Sequence, residues 1–119
     1  MPTPLEIRLK RAERRLEVTF DDGSAFGFPA ELLRVESPSA EVQGHSPAEK
    51  RIVPGKRHVG IVGIEPVGHY AVRLIFDDGH DSGIFSWDYL SRLGQEQDRR
   101  WRDYLAALAT QGLSRDPER

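Results

Sequence analysis

Leu16-Glu17-Val18-Thr19-Phe20-Asp21-Asp22-Gly23 returns later in the chain as Val72-Arg73-Leu74-Ile75-Phe76-Asp77-Asp78-Gly79. In both stretches alternate apolar residues point one way, the period of a half-buried strand. Asp-Asp-Gly then closes a hairpin, because aspartate bonds its own turn and glycine tolerates positive φ. Phe26 and Phe28 carry the first return strand into the core, and Ala30-Glu31-Leu32-Leu33 follows as a helical turn. The second copy, with one residue inserted, ends in Trp87-Asp88-Tyr89-Leu90. Each unit reads as a hairpin followed by a helix, and two units sharing a sheet give a pseudo-symmetric α+β domain. Two copies are too few for a repeat array, and aspartate-glycine hairpins also recur by chance.

Outward from these units, Leu5, Ile7 and Leu9 alternate with charged residues as a strand, and Arg11 to Arg14 form a polar turn. Pro29 opens the first helical turn, where its missing N–H matters little. From Arg34 to Lys56 the composition shifts to Ser, Pro, Gly, Glu and His, a loop of about twenty residues; ordered loops of that length are often functional. Val59 to Ile64 is apolar apart from Gly60 and Gly63 and predicts a central strand covered on both faces. Ser86 predicts the cap of a helix through Leu93, with Asp88 near its positive end and Gly94 as the break. A second helix from about Gln95 to Gln111 aligns Trp101, Tyr104, Leu105 and Leu108 on one stripe. The expected organisation is a single domain over residues 1–113 and a flexible tail over 114–119. Its fold class is α+β, an antiparallel sheet of hairpins with short helices and a C-terminal amphipathic helix.

The 119 residues suffice for one core. Seventeen basic against nineteen acidic side chains give a net charge of -2, which argues against the broad positive field of a nonspecific nucleic-acid or membrane binder. The absence of cysteine excludes disulfides, thiolate metal sites and thiol catalysis. With no signal-like start and no apolar run of membrane-spanning length, a cytoplasmic location is expected.

No set of residues forms a complete catalytic site. None of His45, His58, His69 and His80 begins a His-x-Glu/Asp pair, so a facial iron triad does not form that way. His45 and His80, with Asp78 or Asp81, are the only weak metal candidates, brought together if the long loop folds over the second hairpin. The paired aspartates of both turns are accounted for by turn chemistry. No phosphate-binding loop or nucleophile elbow is present. The clusters Arg8 to Arg15, Lys50-Arg51 with Lys56-Arg57, and Arg99-Arg100-Arg102 have acids nearby and no interleaved aromatics, the pattern of solvated surface. For Trp87 and Tyr89, core packing and an exposed patch both stay open.

Leu33-Arg34, Ser37 to Val42, Val62 to Gly68, and Phe76 to Leu90 arrive in an order that resembles the gamma-butyrobetaine hydroxylase-like N-terminal domain family, over about residues 3 to 110. In the animal hydroxylases such a domain precedes an iron- and 2-oxoglutarate-dependent catalytic domain and holds a structural zinc through three Cys and one His. The resemblance puts that His on His80 and the Cys positions on Ser37, Ser39 and Val42. It thereby implies that the zinc is lost and that no cofactor is bound. The catalytic domain is expected to be absent, so the hydroxylase activity does not transfer. Similar domains also occur fused to P-loop ATPases of iron–sulfur cluster assembly.

The expected function is therefore a noncatalytic protein-interaction or adaptor module, not an enzyme. Its candidate binding surface is Arg34, Ser37, Ser39, His45, His80, Trp87 and Tyr89. The expected partner is an unidentified protein, a second copy of the chain included, with no nucleic acid and no membrane. The alternative is a metal-linked accessory, in iron–sulfur assembly for example, using His45 and His80.

Overall fold

A computed structural model describes residues 2–118. Its elements are β1 (Pro4–Lys10), β2 (Arg15–Phe20), β3 (Ala25–Pro29), α1 (Ala30–Val35), α2 (Ala40–Gln43), a 3-10 turn (Pro47–Glu49), β4 (Ile61–Val67), β5 (Ala71–Phe76), β6 (Gly83–Ser86) and α3 (Trp87–Thr110). The class is mixed α+β, with antiparallel hairpins and a long C-terminal helix. Where one shared sheet was expected, the strands form two three-stranded antiparallel sheets, β1-β2-β3 and β4-β5-β6. Among the described residues no helix is long and apolar enough to cross a membrane.

The two sheets repeat each other in detail. Leu16 pairs with Phe28 as Val72 pairs with Phe85, and a bulge interrupts the outer strand between Pro4 and Glu6 as it does between Ile61 and Gly63. The bulged residues, Leu5 and Val62, are pushed outward to 72% and 50% exposure, as expected where one strand carries an unpaired extra residue. Leu5 therefore departs from the inward face predicted by its alternation with Ile7 and Leu9. Strand β4 is an edge strand rather than a central one, because it pairs only with β5. Pro66, which lacks an N–H, is compatible with that edge.

Leu16, Val18 and Phe20 of β2 meet Val72, Leu74 and Phe76 of β5 in one core, closed by Phe28, Phe85, Leu32, Leu33, Leu90 and Leu93. Gly94 does not end a helix: α3 runs through it without a break. A methyl at Gly94 would overlap the Phe26 ring, so the glycine lets α3 lie against β3, a gain in packing that offsets its cost of about 1 kcal/mol in helix propensity. Tyr104 and Leu108 close a smaller cluster with Val35, with Trp101 packed beside it, while Leu105 turns to solvent. Ser114 and Arg115, expected to begin a flexible tail, accept hydrogen bonds from the Gly55 and Arg57 amides at 2.9 and 3.0 Å. The Arg115 guanidinium meets both Glu31 oxygens at 2.7 and 2.8 Å and lies 5.0 Å from the Trp101 ring centre.

Candidate functional site

Both hairpin turns are built alike. In the first, the Phe20 amide donates to the Ser24 carbonyl at 2.8 Å and the Ser24 amide to Asp22 Oδ1 at 2.9 Å. In the second, Phe76 donates to the His80 carbonyl at 3.0 Å and the His80 amide to Asp78 Oδ1 at 3.1 Å. Gly23 and Gly79 adopt φ of 89° and 90°, a region that other residues enter only with strain. The turns differ in where the fourth residue sends its side chain. Ser24 bonds back to Asp22 at 2.6 Å, whereas His80 turns inward against Phe76, its ring centre 5.9 Å away, and is buried.

There the imidazole joins the 34–56 segment to the second sheet. His80 Nδ1 lies 3.0 Å from Glu41 Oε2, and Nε2 lies 2.9 Å from Ser37 Oγ. With Glu41 as a carboxylate, which only accepts, Nδ1 carries the proton; in the neutral ring Nε2 then accepts from the Ser37 hydroxyl. Ser37 Oγ also accepts from the Ser39 amide at 3.3 Å, and Ser39 Oγ sits 2.7 Å from Ser82 Oγ. The stretch expected as a loop from 34 to 56 thus holds the end of α1, the short helix α2 capped by Ser39, and a 3-10 turn.

Two charged clusters fasten the same segment. Asp78 Oδ2 receives Arg34 Nε at 2.8 Å and Lys56 Nζ at 2.7 Å. Burial pushes the Asp78 carboxyl up, but hydrogen bonds from Lys56, Arg34 and the His80 amide more than reverse this and hold its pKa at about 2. Arg34 Nη1 is buried with no hydrogen-bond partner among the described residues, a cost that this ion pair has to offset. On the other side, the Glu36 carboxylate, its side chain 4% exposed, meets Lys50 and, at 3.4 Å, Arg100 of α3. The Tyr89 hydroxyl donates to the Glu36 carbonyl, with Arg92 and Arg100 5.5 and 5.6 Å from its ring centre. Burial, ahead of the neighbouring charges, raises the Tyr89 hydroxyl to about 12, so it stays a donor through the physiological range.

Glu41, His80 and Ser37 stand in the order of orienting carboxylate, base and nucleophile. Ser37 is 0% exposed, so in this structure no substrate carbonyl reaches its hydroxyl, and the chain of bonds ties segment to hairpin. Ser39 and His80 are likewise buried and Arg34 nearly so, which sets them behind a surface rather than on it. Trp87 packs on the core and donates from Nε1 to the His69 carbonyl at 2.8 Å, and Tyr89 packs beside it. His45 is exposed, and its amide donates to Glu49 Oε2 at 2.7 Å. Among the described residues no three His, Asp or Glu side chains are placed to hold a metal ion, so His45 and His80 do not assemble with Asp78 or Asp81 into the metal site that their sequence positions left open. Sequence reasoning missed Glu36 and Glu41 and read Lys50, Lys56 and Arg100 as solvated surface, whereas these three bind Glu36 and Asp78, 14 to 64 residues away in the chain.

The model of the family described as gamma-butyrobetaine hydroxylase-like, N-terminal, matches residues 7–91. A protein solved in solution by NMR is 50% identical, with a TM-score of 0.86 over 100% of this chain and 94% of its own. Another NMR structure is 48% identical, with a TM-score of 0.85 over 98% and 87%. The crystal structure of a protein of unknown function from Acidithiobacillus ferrooxidans ATCC 23270, of the DUF971 family, is 48% identical, with a TM-score of 0.65 over 77% and 92%. No curated protein matches. The chain belongs to the gamma-butyrobetaine hydroxylase-like N-terminal family.

Proposed function

We propose that this member of the family is a protein-binding module without catalytic chemistry of its own, and that its contact surface is the outer side of the 34–56 segment. One observation supports this reading above the rest. The base of the segment is fastened by buried polar groups, Ser37 with His80 and Glu36 with Lys50 and Arg100, while His45 to Glu49 and Arg51 stand in solvent. Buried polar and ionic ties are seldom the most effective way to stabilise a fold. They do hold one conformation of a loop, and a preorganised loop loses less entropy on binding.

The test is affinity purification of the tagged native chain beside three variants. Arg51→Glu and His45→Ala alter the outer side of the segment, and Arg8→Glu alters an exposed position on β1. A protein recovered with the wild type and Arg8→Glu but lost with the outer-side variants supports the reading. Equal recovery with all four overturns it. Calorimetric titration with zinc, iron(II) and manganese separates the module from a metal-linked accessory: one-to-one binding at micromolar strength or tighter that disappears in His80→Ala favours the accessory.

A further inference from the structure

Between α3 and residues 50–52 lies an open cleft of about 400 Å³. Its walls gather four cations, Lys50, Arg51, Arg99 and Arg100, against two carboxylates, Glu36 and Asp103. This excess of positive charge sits in a chain whose net charge is -2. Glu36 is buried and already engaged by Lys50 and Arg100. Asp103 stands 3.6 Å from Arg99, which also meets Glu96 at 2.9 Å. The Arg51 guanidinium has no ion pair or hydrogen bond among the described residues. Between the cations, the apolar surface is that of the half-buried Ile52 and Ala107, over the buried Val35.

We propose that this cleft docks an extended acidic segment of a partner protein, whose carboxylates meet Arg51 and Arg99 and whose apolar side chains settle between them. The assignment rests on the binding-module reading and gives it a ligand class. Charge complementarity selects an anion, since a carboxylate brought to the unpaired Arg51 guanidinium gains charge-assisted bonds, with the exposed Arg99 beside it shared with Glu96 and Asp103. The apolar lining selects a peptide over a small phosphate, which would leave it uncovered. Single-stranded nucleic acid requires an aromatic face for stacking, and the aromatic ring in the lining, Tyr104, is buried with its hydroxyl donating to the Val53 carbonyl at 2.6 Å.

The experiment uses the full chain and a short fluorescein-labelled peptide of alternating Glu and Leu, followed by anisotropy, with amide chemical shifts locating the site. The expected result is salt-sensitive binding that shifts residues 50–53 and 99–107. It weakens about tenfold in Arg51→Glu and again in Arg99→Glu, and holds in Arg8→Glu. A Lys–Leu peptide should not bind. The proposal is overturned by absence of binding, by binding indifferent to Arg51→Glu, or by shifts elsewhere. Stronger binding of tripolyphosphate or single-stranded DNA at the same residues also overturns it. Failure here removes the acidic segment alone, because the module reading stands or falls with the partner recovered by the native chain.

Discussion

The turn after β2 and the turn after β5 share a backbone and differ in one side chain. Each is closed by Asp-Asp-Gly, in each an aspartate amide donates to the carbonyl just before the outer strand, Asp21 to Thr3 and Asp77 to Gly60, and each return strand leads into a helix. The first faces solvent, and its side chains reach no further than Ser24 and the Thr3 amide, which donates to Asp21 Oδ1 at 3.0 Å. The second sends His80 into the interior, where it meets Ser37 and Glu41, and lends Asp78 to Arg34 and Lys56. A duplicated scaffold thus carries an unduplicated set of contacts: alternation and the Asp-Asp-Gly turn set the hairpin, and the residue after the glycine sets what the hairpin holds.

If the two units are structurally equivalent, Phe20→Ala and Phe76→Ala should cost alike. Both rings are buried at matching positions, so each variant should lose about 3–5 kcal/mol in urea unfolding. A loss under about 1 kcal/mol for either would break the equivalence. The fourth turn residue should separate the units. His80→Ala leaves Ser37 without its imidazole partner in a buried site and should cost about 2–3 kcal/mol, whereas Ser24→Ala at the exposed turn should cost about 0.5 kcal/mol. Equal costs would mean that the inward histidine holds nothing. A third contrast lies in the helices, since α3 packs on β3 through Gly94. Gly94→Ala should destabilise by about 1–3 kcal/mol despite the better helix propensity of alanine, because its methyl must displace Phe26. A gain in melting temperature would show that the glycine is not there for packing.

The smallest contrast is in acid. The Asp78 carboxyl is depressed from 3.8 to about 2 in the folded chain. Its contribution to stability is therefore present above the unfolded value and is lost as pH falls through the folded one. Wild type and Asp78→Asn should differ by a constant amount above about pH 5 and converge toward pH 2 in urea titrations repeated across that range. A gap that stays constant down to pH 2 would mean that Arg34 and Lys56 do not stabilise the charged form.

Much of this was legible in the residues, through local patterns. Alternation and turn chemistry predict both hairpins, Ser86 predicts its cap, and Trp101, Tyr104, Leu105 and Leu108 predict one apolar stripe, of which Leu105 alone turns to solvent. The motif order that resembles the hydroxylase domain already implies that Ser37 and His80 lie together, and the 2.9 Å contact between them agrees. The rest depends on contacts that local patterns do not carry. Alternation within hairpins does not say whether two hairpins share a sheet, and the apolar run from Val59 reads as a central strand because a bulge leaves no trace in composition. A four-residue helix such as α2 is too short to show a period. Gly94 looks like a stop until the ring opposite it is known. The ties of Glu41 to His80 and of Glu36 to Arg100 bridge 39 and 64 residues, and nothing in the neighbouring sequence pairs them.

The central claim is that His80 fastens the 34–56 segment to the second hairpin while the first unit stands without such a tie. Amide hydrogen exchange of His80→Ala against the wild type tests it directly. The amides of Val42, Gln43 and Arg51 are hydrogen-bonded within the segment, and those of Leu16, Val18 and Phe20 lie in β2. The predicted result is faster exchange at the first three with protection retained at the second three. Unchanged exchange at Val42 and Arg51, or an equal loss across both sheets, would contradict it.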